Sequence, residues 1–147
     1  MTTVKYCLDQ KPQPFVVVSV NPDDRVVTAL QQMRNKRVRA VLVMAGDQLE
    51  GIVTQGDCAI KVLLPGLDAT RVCVSEIMTA KPMTVKLTDP LEACMGLMAT
   101  RNFRHLPVLE DGKVVGVVSI GDIVKDTMRQ MAQQINFLET DIKGTPV

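Results

Sequence analysis

At 147 residues, with 46% hydrophobic and 22% charged side chains, the chain has the composition of one folded domain and not of a disordered segment. Its formal net charge of +1 excludes a whole-chain field that would draw it to nucleic acid or to an anionic membrane surface. With no Trp, one Tyr and three Phe the core has to be aliphatic, and no apolar run approaches the roughly 20 residues of a membrane-spanning helix. Cys7, Cys58, Cys73 and Cys94 form no C-x-x-C pair, and Met1-Thr2-Thr3-Val4-Lys5 does not open a charged-then-apolar leader. Free thiols and a cytoplasmic location are expected.

In chain order, Phe15 to Val20 is an apolar, β-branched run that reads as a strand. Asn21-Pro22-Asp23-Asp24 stops it and supplies helix-start residues. Val26, Ala29, Leu30 and Met33 follow at i, i+3, i+4, i+7, one face of a helix. Val38 to Met44 is a strand, Ala45-Gly46-Asp47-Gln48 a turn, Leu49 to Thr54 a second strand, and residues 55 to about 63 a helix. Leu64-Pro65-Gly66-Leu67-Asp68-Ala69-Thr70-Arg71 is a linker. The pattern then begins again. Met83 to Leu87 is a short extended run, Leu91, Cys94 and Met98 mark a helix face, and His105 to Leu109 and Val114 to Ser119 are strands. Asp111-Gly112 between the last two is a hairpin signal, because Gly accepts the positive φ that such turns need.

The recurrence is an internal repeat. Gly51-Ile52-Val53-Thr54-Gln55-Gly56-Asp57 returns as Gly116-Val117-Val118-Ser119-Ile120-Gly121-Asp122, an offset of 116 − 51 = 65 residues. The same offset pairs Val20 with Val85, Asp24 with Asp89, Met33 with Met98, Arg39 with Arg104 and Val43 with Val108. Each copy is too small to bury its own sheet, so the two are expected to pack on each other about a pseudo-twofold axis. Residues 7–64 are read as the first repeat, 65–74 as the linker, 75–130 as the second repeat and 131–147 as a C-terminal helix extension and tail.

Each copy ends in a hydroxyl and a carboxylate three residues apart, Thr54 with Asp57 and Ser119 with Asp122. One reading is a capping box that merely starts a helix. The other is a ligand position: helix N-termini suit phosphate, a hydroxyl adds a hydrogen bond, and a carboxylate suits the vicinal hydroxyls of a ribose. Gly56 and Gly121 leave room for a ligand at the backbone. Arg39 and Arg104 share one repeat position at a strand edge, where a guanidinium matches phosphate. His105, the only His, is either a half-buried strand residue or a pH-dependent phosphate contact. One His without patterned partners gives no zinc site, and the Gly-to-Ser spacing before Ser119 does not fit a nucleophile elbow. No catalytic constellation is expected.

Beyond Asp122, Met128, Met131, Ile135, Leu138 and Ile142 step by 3, 4, 3, 4 on a long helix. Such a heptad-like stripe packs either onto its own sheet or against a second copy, and a homodimer seam is the preferred reading.

The residues Arg104-His105-Leu106-Pro107-Val108, the Asp111-Gly112 hairpin, the duplicated motif of Gly, an apolar residue, Val, Ser or Thr and, three places on, Asp, and Glu76-Ile77-Met78-Thr79 resemble a tandem pair of cystathionine-beta-synthase (CBS) domains, a Bateman module, from about Val16 to Met128. The resemblance implies an α+β fold of two pseudo-twofold-related β-α-β-β-α repeats packed through their sheets, with the C-terminal helix added. It implies a regulatory module without catalysis that binds an adenine nucleotide (AMP, ADP, ATP or NAD(H)). By the family pattern Asp57 and Asp122 hold ribose hydroxyls, and Thr54 and Ser119 sit at phosphate. Arg39, Arg104 and His105 reach phosphates, while Val18, Ser19, Met83 and Thr84 flank the adenine. Pro107 and Ile120, inside the motifs, complete the expected contacts. Such modules dimerise into a disk of four repeats, and any protein effector acts in trans. The alternative function is a scaffold that binds no ligand and acts through its dimer surface and C-terminal helix. Gly56 stands where many relatives carry a basic residue, and Ala40 stands at the position of His105. The site of Ser119 and Asp122 is therefore expected to be the better one.

Overall fold

A computed structural model describes residues 2–12 and 17–143, with side chains as far as 140. In the first unit β1 (Ser19–Val20) leads into α2 (Val26–Lys36), and the hairpin β2 (Ala40–Ala45) and β3 (Gln48–Thr54) follows. A short helix, α1 (Val4–Asp9), precedes them. After β3 come α3 (Gln55–Cys58) and a π-helical turn over Ala59–Leu63. The connecting stretch carries α4 (Val74–Ile77) and β4 (Thr79–Ala80). The second unit is β5 (Val85–Lys86), α5 (Leu91–Arg101), β6 (His105–Glu110), β7 (Lys113–Ser119) and the long α6 (Ile120–Lys143).

The expected elements are present, with two short strands and one interrupted helix among them. β1 and β5 are two residues long, shorter than the apolar runs that predicted them, because only those residues find a parallel partner, on β2 and β6. Phe15 and Val16, in the first of those runs, lie outside the described residues. The helix expected over 55–63 is α-helical only to Cys58.

The repeat holds to the level of single dihedrals. α2 and α5 both end on a residue in the left-handed region, Arg37 (φ 56°) and Asn102 (φ 59°), and both hairpins carry a bulge, between Val43 and Met44 and between Val108 and Leu109. Strand alternation gives each sheet two faces. Val41, Val43 and Val53 join Val26, Ala29 and Met33 in the first core; Leu106, Val108 and Val118 join Leu91, Cys94 and Met98 in the second. Leu42 and Ile52, register partners on the opposite face, are buried as well, and so is Pro107 at the matching place. These second faces lie between the repeats, which pack sheet to sheet.

The segment that leads into each repeat docks on the other repeat. Val4 N–H donates to the Asp89 carbonyl (2.9 Å), Lys5 N–H to Leu87 (3.0 Å), and Leu91 N–H to Thr2 (2.8 Å). Seventy residues on (74 − 4), Val74 N–H donates to Asp24 (2.8 Å), Ser75 N–H to Pro22 (3.2 Å), and Val26 N–H to Val72 (2.9 Å). The apolar side of α1, Val4, Cys7 and Leu8, is sealed into the second core, while Val74 and Ile77 of α4 belong to the first. The side chain of Cys7, at the expected start of the first repeat, packs in the core of the second. All four cysteines are free thiols, and burial pushes Cys7 and Cys94 up to about 11, with Asp122 adding to the effect on Cys7 and Asp89 to that on Cys94.

Candidate functional site

The two strand-to-helix junctions are built alike. At the first, Asp57 N–H donates to Thr54 Oγ1 (3.1 Å) and Thr54 N–H donates to Asp57 Oδ2 (2.9 Å). At the second, Asp122 N–H donates to Ser119 Oγ (3.2 Å) and Ser119 N–H to Asp122 Oδ2 (2.8 Å). Both are reciprocal capping boxes. Each is anchored to the strand before it, Gln55 N–H on the Arg39 carbonyl (3.0 Å) and Ile120 N–H on the Arg104 carbonyl (2.9 Å). A Cβ at Gly56 or Gly121 would meet only the junction hydroxyl, in ordinary contact at 3.6 Å, and both glycines are exposed.

The carboxylates differ in what else they hold. Asp57 Oδ1 pairs with Lys61 Nζ (3.2 Å), so both its oxygens are engaged. Asp122 takes the Lys11 ammonium on the oxygen that already accepts from Ser119 (3.1 Å), and its Oδ1 has no hydrogen bond among the described residues. Lys11 also donates to the Val117 carbonyl (3.0 Å). It belongs to the stretch just after α1 and reaches the junction only because α1 docks on the second repeat. Nothing local in the sequence signals a contact that spans 111 residues.

His105 opens β6 directly across from Ser119, where the first repeat has Ala40 across from Thr54. Its Nδ1 is buried without a partner among the described residues. Burial holds the imidazole below the usual histidine value; Asp122 pulls the other way, and the charges of Lys11, Arg104 and Arg39 reinforce the burial. Arg39 and Arg104, both exposed, thus act on one imidazole from two different repeats, and neither forms an ion pair among the described residues. A half-buried imidazole in the field of three cations and one carboxylate is a place that favours an anion.

A hollow of about 210 Å³ lies beside Asp122, lined by Cys7, Gln10, Lys11, Pro12, Lys125 and Arg129. A larger one, about 680 Å³, opens between α1, α5 and α6 around the buried Asp126 and holds none of the expected site residues. Of the remaining expected residues, Ile120 is exposed at the start of α6 and Pro107 is buried on the face between the repeats. Val18 is half-buried and gives its carbonyl to Leu42 N–H (3.0 Å), Ser19 and Met83 are exposed, and Thr84 is half-buried. No hydrogen bond joins these last four to either junction among the described residues. No group of three or more His, Cys, Asp or Glu there could hold a metal ion, and no helix is long and apolar enough to cross a membrane.

The duplicated architecture is matched by known proteins. A protein with CBS domains from Burkholderia ambifaria superimposes with a TM-score of 0.85 at 41% identity, over 87% of this chain and 95% of that one. The CBS domain-containing protein CBSX3, mitochondrial, of Arabidopsis thaliana is 32% identical over 127 residues, 83% of this chain and 62% of that protein. A CBS domain protein from Pyrobaculum aerophilum complexed with AMP shares the fold, with a TM-score of 0.72 at 23% identity over 82% of this chain and 89% of that one. The CBS domain family itself matches residues 15–63 and 74–129, the two units just described, and the chain belongs to that family.

Proposed function

We propose that the chain is a regulatory module that binds an adenine nucleotide at the junction of Ser119 and Asp122, without catalysis and as a cytoplasmic homodimer. The observation that carries this reading is that, among the described residues, Asp122 Oδ1 and His105 Nδ1 both lack a hydrogen-bond partner, at the start of a long helix and in the field of three cations. A ribose donates its vicinal hydroxyls to such a carboxylate, and a phosphate accepts from the helix amides, the Ser119 hydroxyl and the nearby cations. The Asp57 junction is the weaker one, because Lys61 already fills its carboxylate and Ala40 offers no hydrogen bond. To signal, the ligand has to bind two arrangements of the module unequally, and the arrangement is read by a protein partner in trans. A scaffold that acts through its surface alone is the second reading, supported by the exposed apolar residues Met128, Met131, Ile135 and Leu138 along α6.

Calorimetric titration with AMP, ATP and NAD of Asp122→Asn and Asp57→Asn tests the reading, since Asn preserves an acceptor for the capping amide. Loss of affinity is expected to be greater for Asp122→Asn; equal or greater loss for Asp57→Asn overturns the choice of site. A bound nucleotide raises the melting temperature by mass action. No shift with any adenine compound at millimolar concentration overturns the nucleotide reading in favour of the scaffold.

A further inference from the structure

The family match ends at residue 129, yet α6 continues unbroken to Lys143. Residues 131–139 are all exposed, and an apolar stripe runs the visible length of the helix. Val124, Met128, Met131, Ile135 and Leu138 step by 4, 3, 4, 3 and are each 50–64% exposed. The side chain of Ile142, the next in the series, lies outside the described residues. A stripe of this spacing is the seam of a two-helix coiled coil, with Val124, Met131 and Leu138 at d and Met128 and Ile135 at a.

We propose that α6 pairs antiparallel with α6 of a second copy, Lys125 of each chain facing the partner's Glu139. This rests on the dimer reading above and deepens it by fixing the direction of the helices. An antiparallel pair stacks a positions on d positions, so residue numbers across each layer add to a constant. Met128 with the partner's Leu138 and Met131 with the partner's Ile135 both add to 266, and together with their symmetry mates they make four filled layers. In such a pair e faces e and g faces g. The e positions are Lys125, Ala132 and Glu139, and the same register sets Lys125 opposite the partner's Glu139, twice by symmetry, with Ala132 facing its own mate. At g, Thr127 and Gln134 bring no like charges together. Of the two antiparallel registers one heptad away, one leaves Leu138 uncovered and Lys125 opposite an alanine, and the other sets Met128 and Lys125 beyond the end of the partner's α6. A parallel pair sets g against the following e, Thr127 on Ala132 and Gln134 on Glu139, with no opposite charges at all. Only the antiparallel register uses the whole stripe and both charges. It also lays each extension along Val124 and Met128 of the other module, so the part of α6 beyond the family fold covers apolar surface that its own chain leaves open.

The test is molar mass by light scattering, without nucleotide, for wild type, Lys125→Glu, Glu139→Lys and the double exchange, all substitutions at exposed positions. Wild type is expected to be dimeric, each single variant to associate about tenfold more weakly through like-charge repulsion, and the double exchange to recover wild-type mass. A dimeric wild type whose single variants are unchanged, or whose double exchange fails to recover, overturns the antiparallel register and leaves the dimer reading standing. A monomeric wild type overturns both.

Discussion

Asp57 and Asp122 hold the same position in their repeats and make the same capping box, yet only one has an oxygen to spare. The difference comes from which lysine reaches them: Lys61, in the π-helical turn that follows α3, takes the second oxygen of Asp57, whereas Lys11, arriving from α1, shares the oxygen that Ser119 already uses. His105 makes the second junction sensitive to pH. Burial holds its pKa below the usual value of about 6.5, so the unfolded chain binds the proton more readily than the folded one. The stability held by the neutral imidazole is therefore complete above about pH 6.5 and is lost as pH falls below it. A phosphate placed against the imidazole favours the charged form and raises its pKa, so binding takes up a proton. NAD, whose diphosphate has no group that titrates near neutral pH, is expected to bind more tightly as pH is lowered from 7 to 6, while adenosine, which lacks the phosphate, shows no such slope. Calorimetry in buffers of different ionisation enthalpy reads the proton directly. His105→Gln is expected to abolish the slope; if it persists in that variant, the imidazole is not the group that titrates.

At the scale of the elements, the repeat motif was legible and its exchange was not. α2, α5 and both hairpins follow from periodicity and from turn residues such as Asp111 and Gly112, which take φ of 52° and 79° as their turn requires. α1 has six residues, too few to hold as an isolated helix, and it forms because Val4, Cys7 and Leu8 are buried in a core whose other members lie about 80 to 120 residues away. No local signal carries such a contact, and Lys11 was missed as a site residue for the same reason. The docking makes a directional prediction. Leu8→Ala, at a fully buried position, is expected to cost about 2–5 kcal/mol and to speed amide exchange in β6 and β7 more than in β2 and β3. Exchange that rises equally in both hairpins, or first in β2 and β3, would contradict the placement of α1. Gly51 marks the reciprocal dock. A Cβ there would lie 2.6 Å from Met78 Sδ and 2.8 Å from the Thr79 carbonyl, which is held in β4 by pairing with β3. The thioether can retreat but the carbonyl cannot, so Gly51→Ala is expected to cost about 1–3 kcal/mol, read as a lowered melting temperature.

For the whole molecule, the exchange of lead segments means that the linker is not what holds the repeats together. A cut between Gly66 and Leu67 leaves α1 on the fragment that contains the first repeat, though α1 docks on the second. It leaves residues 69–80 on the fragment that contains the second repeat, though they dock on the first. Each half therefore keeps an arm inside the other, through the bonds of Val4, Lys5 and Leu91 on one side and of Val26, Val27, Val74 and Ser75 on the other. Lys11 adds its bonds to Val117 and Asp122, and the buried sheet faces at Leu42, Ile52 and Pro107 add apolar contact. A protease site introduced at residues 65–67, an exposed stretch, is expected to be cleaved without separating the halves: they co-elute in gel filtration at micromolar concentration and part only in denaturant. Halves that separate under native conditions would show that the arms contribute little and that the covalent link does the holding. The same interlock bears on signalling. On the proposed function, a nucleotide that draws Asp122 away from Lys11 acts at the end of α1, whose other face packs in the core of the second repeat, so its expected effect extends to that core.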